Sequence, residues 1–432
     1  MENMEKTVKD PYKFSRILYI IEATLEYFIS MAIGGAYLAK VSTYIGLPDE
    51  VTGILSSFVS LGCGFQLIAI FLANKRPVKI WVTILHTLNQ IFFALVYVVP
   101  FFEVPKTVKV VAFIVFLLTG HIVNNIVNSP KINWYMALVP DKKRGAFTAN
   151  KEIVSLMTGI VFSFGLGAVI DFFEGKGDLT TAFILCGVGV FVLVLLHTLT
   201  LILSKEKPAK KEEKHVKIKD TLKELVKDKN LMKVVLVSVL WNVANYTVTP
   251  FTGTYQNNEL GFTMLFVSVL SIAYAIVRSC FSRPMGKFAD KYSFTKMLNI
   301  CFIIMILSFL CLAFTTPANG KVMYTIYYML TAIGMAGINS GAINLIYDYV
   351  KPKQRTSALA LKSTLAGFAG FFTTLAVSSL VKYIQRNGNK LFGISIYAQQ
   401  VMALLGVLLV VVILVYVNTV VKNIKRADPP EE

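Results

Sequence analysis

Two glutamates, Glu22 and Glu26, interrupt an apolar run that begins near Ser15 and continues to about Leu38. Their four-residue spacing puts both carboxylates on one face of a helix. Counted from an inner edge near Ser15, a rise of about 1.5 Å per residue takes Glu22 roughly 10 Å and Glu26 roughly 16 Å into the segment. Two carboxylates so close in a low dielectric resist joint ionisation, so they are expected to bind a coupling ion, either a proton or a hard cation such as Na⁺. A fixed ion pair to a neighbouring helix is the alternative.

A candidate partner lies further along the chain. His121, Asn124, Asn128 and Lys131 recur at steps of three, four and three, one polar stripe on an apolar helix. Lys131 precedes Pro140 by about nine residues, a depth close to that of Glu22. Pairing of Lys131 with Glu22 or Glu26 would leave Asn124, Asn125 and Asn128 for a hydroxylated ligand, or for helix-to-helix hydrogen bonds. Trp241, Asn242 and Asn245, with Tyr246 and Thr249, combine an aromatic face with amides, which suits a sugar ring or another flat polar solute. Trp241 as a lipid-interface anchor is the competing reading. Arg278 has no acid near it in sequence and is expected to face a cavity or to pair with Asp348. His86, Asn89 and Gln90 read as satisfied core polar groups, and Gly334, Gly337 and Gly341 as helix-packing positions.

These residues need apolar helices to hold them. The chain has 432 residues, 55% hydrophobic and only 16% charged, with a mean hydropathy of +0.62. That is too greasy for a soluble domain. Apolar runs long enough to cross a bilayer fall at roughly 15–39, 50–73, 78–100, 108–138, 145–172 and 180–204, then at 231–256, 262–287, 296–316, 322–349, 356–383 and 394–421. The fold class expected is an all-α polytopic membrane protein of twelve transmembrane helices in two pseudo-symmetric six-helix bundles, 1–204 and 231–432. The connecting segment, 205–230, carries ten lysines against six acids and is read as a cytoplasmic linker. Ile218, Leu222, Leu225 and Val226 recur there at helical spacing, as in a short amphipathic helix on the inner membrane face.

The net charge of +18 is distributed between the apolar runs, which makes it a topology signal and not a nucleic-acid site. Placing the N-terminus inside puts most loop lysines and arginines, and the linker, on the cytoplasmic side together with the C-terminus. The first run lacks a small-residue cleavage site and is expected to remain as a span of a cytoplasmic membrane. Cys63, Cys186, Cys280, Cys301 and Cys311 all lie in apolar stretches without metal spacing, so they read as free thiols.

The two halves are related in sequence. Aligning Asn128 with Asn339 pairs NSPKINWYMALVPDKKRGAFTANK with NSGAINLIYDYVKPKQRTSALALK, and nine of these 24 positions are identical, including Arg144/Arg355 and Lys151/Lys362. Half-bundles repeated in parallel around a central path suit alternating access. The chain resembles the major facilitator superfamily of secondary transporters over nearly its whole length. The segment Gly286-Lys-Phe-Ala-Asp290-Lys291-Tyr-Ser-Phe-Thr-Lys296 is similar to that family's loop signature. The matching first-half loop departs from it, with Ile70 where glycine and Asn74 where aspartate is expected, and keeps only the basic residues. The resemblance implies a gate in which Asp290 approaches the start of span five near Arg144 when the cytoplasmic side closes, with Arg355 as the second-half counterpart. The run Trp241-Asn-Val-Ala-Asn245-Tyr-Thr-Val-Thr-Pro-Phe resembles span seven of the cation-coupled glycoside and pentoside symporters.

No Walker motif, nucleophile elbow or zinc spacing is present, so neither ATP-driven transport nor enzyme chemistry is expected. The expected function is secondary transport of a small polar organic solute, a sugar or glycoside first, coupled to H⁺ or Na⁺. No cofactor, resident metal or nucleic-acid partner is expected, and the protein is expected to be a monomer in the bilayer. A proton-coupled drug-efflux antiporter and a lipid flippase are the rival readings.

Overall fold

The computed structural model describes residues 10–73, 77–140, 143–208, 218–347, 349–350 and 354–424. The first span is a broken helix, α1 (Lys13–Ala32) and α2 (Gly35–Ile45), bent by 45°. The break falls where Gly35 adopts φ +52°, a left-handed geometry that favours glycine. It follows the Glu22/Glu26 face by two turns, so the acids sit on a continuous helix and the chain bends beyond them. The sequence pattern ended this span too early, because the run 35–45 is itself apolar.

The second span is three short segments, α3 (Asp49–Ser56), α4 (Phe58–Gly64) and α5 (Gln66–Ala73). Then come α6 (Val78–Leu95), α7 (Lys106–Met136), α8 (Arg144–Glu174) and α9 (Leu179–Leu203). The Asp178 carboxylate caps α9 by accepting from Thr181 N at 3.0 Å. After the linker helix α10 (Ile218–Lys227), the second half runs through α11 (Lys229–Val248), the short turn α12 (Thr252–Thr254), α13 (Met264–Lys291), α14 (Phe294–Ala313), α15 (Gly320–Tyr347), α16 (Arg355–Arg386) and α17 (Ala398–Thr419). Between α16 and α17 lies a two-stranded hairpin, Lys390–Leu391 with Ile394–Ser395. Among the described residues, eleven helical stretches are long and apolar enough to cross a membrane, twelve with the broken first pair counted as one. This is a multi-pass membrane protein of twelve helices in two bundles.

The linker helix is drawn inward. Leu225 is buried in the main core and Leu222 half-buried, while Val226 is exposed. Glu224 accepts a hydrogen bond from Gln354 at the start of α16. Part of the apolar face expected on the membrane surface therefore packs under the second half. In α15, Gly334, Gly337 and Gly341 seat Met305, Cys301 and Leu298 of α14, where an added Cβ would clash.

Candidate functional site

Helices α1, α6, α7 and α9 bring five charged or ionisable side chains to one buried point. Lys131 Nζ, 2% exposed, donates to Glu22 Oε1 at 2.9 Å, to Glu26, and to His86 Nε2 at 2.9 Å. An ammonium has three N–H bonds, and these three acceptors use all of them. Asn89 fixes the imidazole: its amide donates to Gly120 O at 3.4 Å, so its Oδ1 faces His86 Nδ1 at 2.8 Å as an acceptor. With Nδ1–H donating to Asn89, a neutral His86 presents its Nε2 lone pair to the ammonium. From α9, His197 Nε2 donates to Glu22 Oε1 at 3.0 Å. Glu22 Oε2 and His197 Nδ1 are buried without a partner.

The charge balance of this cluster is uneven. Two carboxylates face one permanent cation, and both imidazoles are fully buried. With both imidazoles neutral the group carries one net negative charge, an expensive state in a low dielectric. One added proton neutralises it. Oxygen and nitrogen atoms of Glu22, His86 and His197 also lie within 4.8 Å of one another. The Lys131 ammonium, 2.9 Å from the Glu22 and His86 atoms, already bridges two of these three groups, so a metal ion would have to compete with a fixed cation.

Glu26 connects this cluster to a central cavity of about 870 Å³. Asn124, Asn128 and Lys131 line it from the first half, together with the lip of the α1/α2 break at Gly34 and Gly35. The second half contributes Thr252, Gln256, Ser271, Tyr274, Arg278 and Tyr328. The cavity extends toward the linker end of the bundle, reaching Lys151, Glu152 and Ser282.

The opposite end is sealed by contacts between the halves. Tyr37 Oη meets Ser268 Oγ at 2.7 Å, and Asn257 donates to Ala36 O at 2.8 Å. Asp49 accepts from Asn258 at 2.7 Å and from Gln385 at 2.8 Å. Asp171, on α8, accepts the backbone amides of Met264 and Leu265 at 2.7 and 2.6 Å, capping α13 across the interface. Gly253 lies so close to the α1/α2 break that a Cβ would stand 2.6 Å from Gly35 O.

Several residues singled out by sequence lie elsewhere. Asn125 does not line the cavity; its amide donates to His121 O at 3.0 Å and accepts from Cys63 Sγ at 3.3 Å, where α7 packs on Gly62. Trp241, Asn242 and Asn245 also lie outside it. Val234, Val237, Trp241, Ala244 and Val248 form one buried stripe of α11, and Trp241 packs on Phe302 at 5.7 Å between centroids. Asn242 donates to Ser238 O, one turn back. The apolar stripe, which the polar residues obscured in the sequence, decides which way this helix faces.

Only part of the expected gate lies within the described residues. Asp290 is exposed near the end of α13, with no ion-pair partner among the described residues. Arg144 opens α8, but its side chain lies outside the described residues, as do Asn74 and Asp348. Arg355 lies over the Tyr347 ring at 4.7 Å, away from the cavity. The residues that sequence reasoning passed over are His197, Tyr27, Thr252, Gln256, Tyr274 and Tyr328. For His197 the signal was present: an imidazole in the very apolar stretch Leu179–Leu203.

A family model described as the Major Facilitator Superfamily matches residues 19–373 and 258–432. No curated protein sequence matches significantly. Among solved structures, the nucleoside transporter NupG is similar at a TM-score of 0.68 and 15% identity, covering 95% of this chain and 99% of that one. A D-xylose-proton symporter gives 0.66 and 15%, covering 92% and 97%. A bacterial homologue of the human lysosomal transporter Spinster, inward-facing and occupied, gives 0.67 and 14%, covering 97% and 99%. At these identities the likeness is one of fold.

Proposed function

The chain belongs to the Major Facilitator Superfamily, whose members here are secondary transporters and not enzymes, and we propose that it moves a small polar organic solute by proton symport. Sugars, glycosides and molecules of similar ring size come first. The observation that carries this reading is the buried cluster of Glu22, Glu26, Lys131, His86 and His197, which with both imidazoles neutral is one positive charge short of neutrality and meets the solute cavity at Glu26. A proton fits that deficit better than Na⁺, because the carboxylate oxygens nearest the cavity already hold the ammonium. Asn124, Asn128 and Gln256 supply amides, and Tyr27, Tyr274 and Tyr328 supply ring faces and hydroxyls for the solute. The amide and hydroxyl lining favours a polar solute over the greasy cargo of a drug-efflux antiporter or a flippase.

In this reading the linker end is cytoplasmic, with both termini on that side, and the structure is an inward-open state of a monomer in a cytoplasmic membrane. Asp290 and Arg144 would meet only when that side closes. The test is Glu26→Gln in proteoliposomes. We expect accumulation driven by an imposed pH gradient to be lost while solute counterflow persists, since counterflow needs no net proton movement. Undiminished pH-driven accumulation in the variant would remove the coupling assignment.

A further inference from the structure

We propose that the solute is an organic monoanion, a carboxylate-bearing sugar or glycoside, whose charge is received by Arg278. This rests on the proton-symport reading and narrows its substrate class. Arg278 lines the cavity from α13, and among the described residues no carboxylate lies within ion-pairing distance of it. Its neighbours are tyrosines: Tyr274 one turn earlier, with its hydroxyl against the guanidinium, and Tyr27 of α1 on the facing half. Every other cavity residue of the second half is uncharged. A guanidinium facing a cavity beside phenol hydroxyls is suited to a planar carboxylate, which it can bind through two parallel N–H bonds.

Charge accounting makes the proposal specific. The described charged groups on or behind the cavity wall are Glu22, Glu26 and Lys131 of the cluster, Lys151 and Glu152 near the mouth, and Arg278. Lys151 and Glu152 cancel, and Glu152 is exposed. With both imidazoles neutral, the empty cavity and the cluster behind it then hold one net negative charge in the cluster and one positive charge on Arg278, and are together neutral. Adding one proton to the cluster and one monoanion to Arg278 keeps it neutral. Adding either alone leaves an unbalanced charge within the membrane, which its low dielectric disfavours.

Only the empty and the doubly loaded forms can therefore reorient readily, and this is what obliges proton and solute to move together. A neutral sugar with one proton would leave the loaded form charged. The groups facing the titrating cluster are Tyr19 of α1 and Tyr135 of α7 as well as the five cluster residues. Both tyrosines are uncharged at neutral pH and do not alter the count.

The experiment uses full-length protein in proteoliposomes and three matched pairs as probes: glucuronate with glucose, galacturonate with galactose, and phenyl glucuronide with phenyl glucoside. Uptake is driven first by a pH gradient, inside alkaline, and then by a potassium diffusion potential of either sign. We expect saturable, pH-driven uptake of at least one acid, insensitive to the potential, with its neutral congener at least tenfold poorer. Arg278→Gln should lower uptake of that acid at least tenfold, and Arg278→Lys should restore part of it.

Uptake confined to neutral congeners, no uptake of any acid, or acid uptake indifferent to Arg278→Gln would overturn the inference. The two levels separate cleanly. Proton-coupled uptake of a neutral sugar alone defeats the monoanion assignment and leaves the symport reading standing. Arg278-dependent acid uptake that ignores the pH gradient defeats the coupling and leaves Arg278 as the charge selector.

Discussion

The centres of the two half-bundles share a backbone plan and differ in chemistry. In the first half, α1, α6, α7 and α9 bury two carboxylates, an ammonium and two imidazoles in one network. In the second, α14 and α15 meet through Ser308 Oγ and Thr331 Oγ1 at 2.7 Å and through methionines and a cysteine seated on glycines, and α15 carries a cluster of tyrosines at 324, 327 and 328. The repeat that pairs Asn128 with Asn339 places Ala342 opposite Lys131. One half has kept the helix and lost the charge. The division suggests that the first half carries the coupling ion, while the second supplies a rigid wall, with Arg278 as its charged group on the cavity.

The largest break in this comparison comes from Lys131→Met. Removing one member of a buried ion pair leaves uncompensated charge, at a typical cost of about 3–5 kcal/mol. We expect a fall of many degrees in the thermal midpoint in detergent, and no uptake. Combining it with Glu22→Gln and Glu26→Gln removes the stranded charge and should recover most of the midpoint, still without pH-driven transport. A single variant as stable as the parent would mean that the ammonium is not the centre of the network.

Much of this contrast is legible in the sequence. The four-residue spacing of Glu22 and Glu26 and the stripe through Lys131 specify faces, because helix periodicity is local and the apolar background leaves few ways to satisfy a buried charge. The number of spans, the linker and the repeat followed from hydropathy and alignment for the same reason. What the sequence hid was relative rotation. Trp241, Asn242 and Asn245 looked like a ligand face, yet helix orientation is set by the neighbours a helix packs against, and Val234, Val237, Ala244 and Val248 turn Trp241 into the core. The broken first span was hidden for a related reason: Gly34 and Gly35 are ordinary in apolar sequence until Gly253 approaches them from the other half.

A middle-sized effect concerns the seal between the halves at the end away from the linker. The Asp171 carboxylate accepts two backbone amides of α13. Asp171→Asn keeps the shape, loses the charge and turns one acceptor into a donor, so it should weaken the sealed state by about 1–2 kcal/mol. A shift of that size moves a two-state population about five- to thirtyfold. Labelling of a Ser30→Cys reporter in a cysteine-free background, with a membrane-impermeant thiol reagent, should become faster from the side opposite the linker and slower from the linker side. Unchanged labelling from both sides would show that the Asp171 cap does not hold the seal.

The smallest expected effect is the most discriminating for the second half. Asn242 donates within its own helix to Ser238 O at 3.0 Å, so Asn242→Ala should cost about 1 kcal/mol or less. Trp241→Phe keeps an aromatic against Phe302 and should lower the thermal midpoint by only a few degrees. Neither residue lines the cavity, and KM should therefore stay within about twofold for both. The two measurements separate packing from recognition, because a packing residue moves the midpoint and leaves KM alone. If Trp241→Phe instead raised KM tenfold at unchanged stability, α11 would have to rotate during the cycle to bring its aromatic and amide face to the solute. The second half would then be an active wall, and the contrast between the two centres would hold only for this state, open toward the linker end.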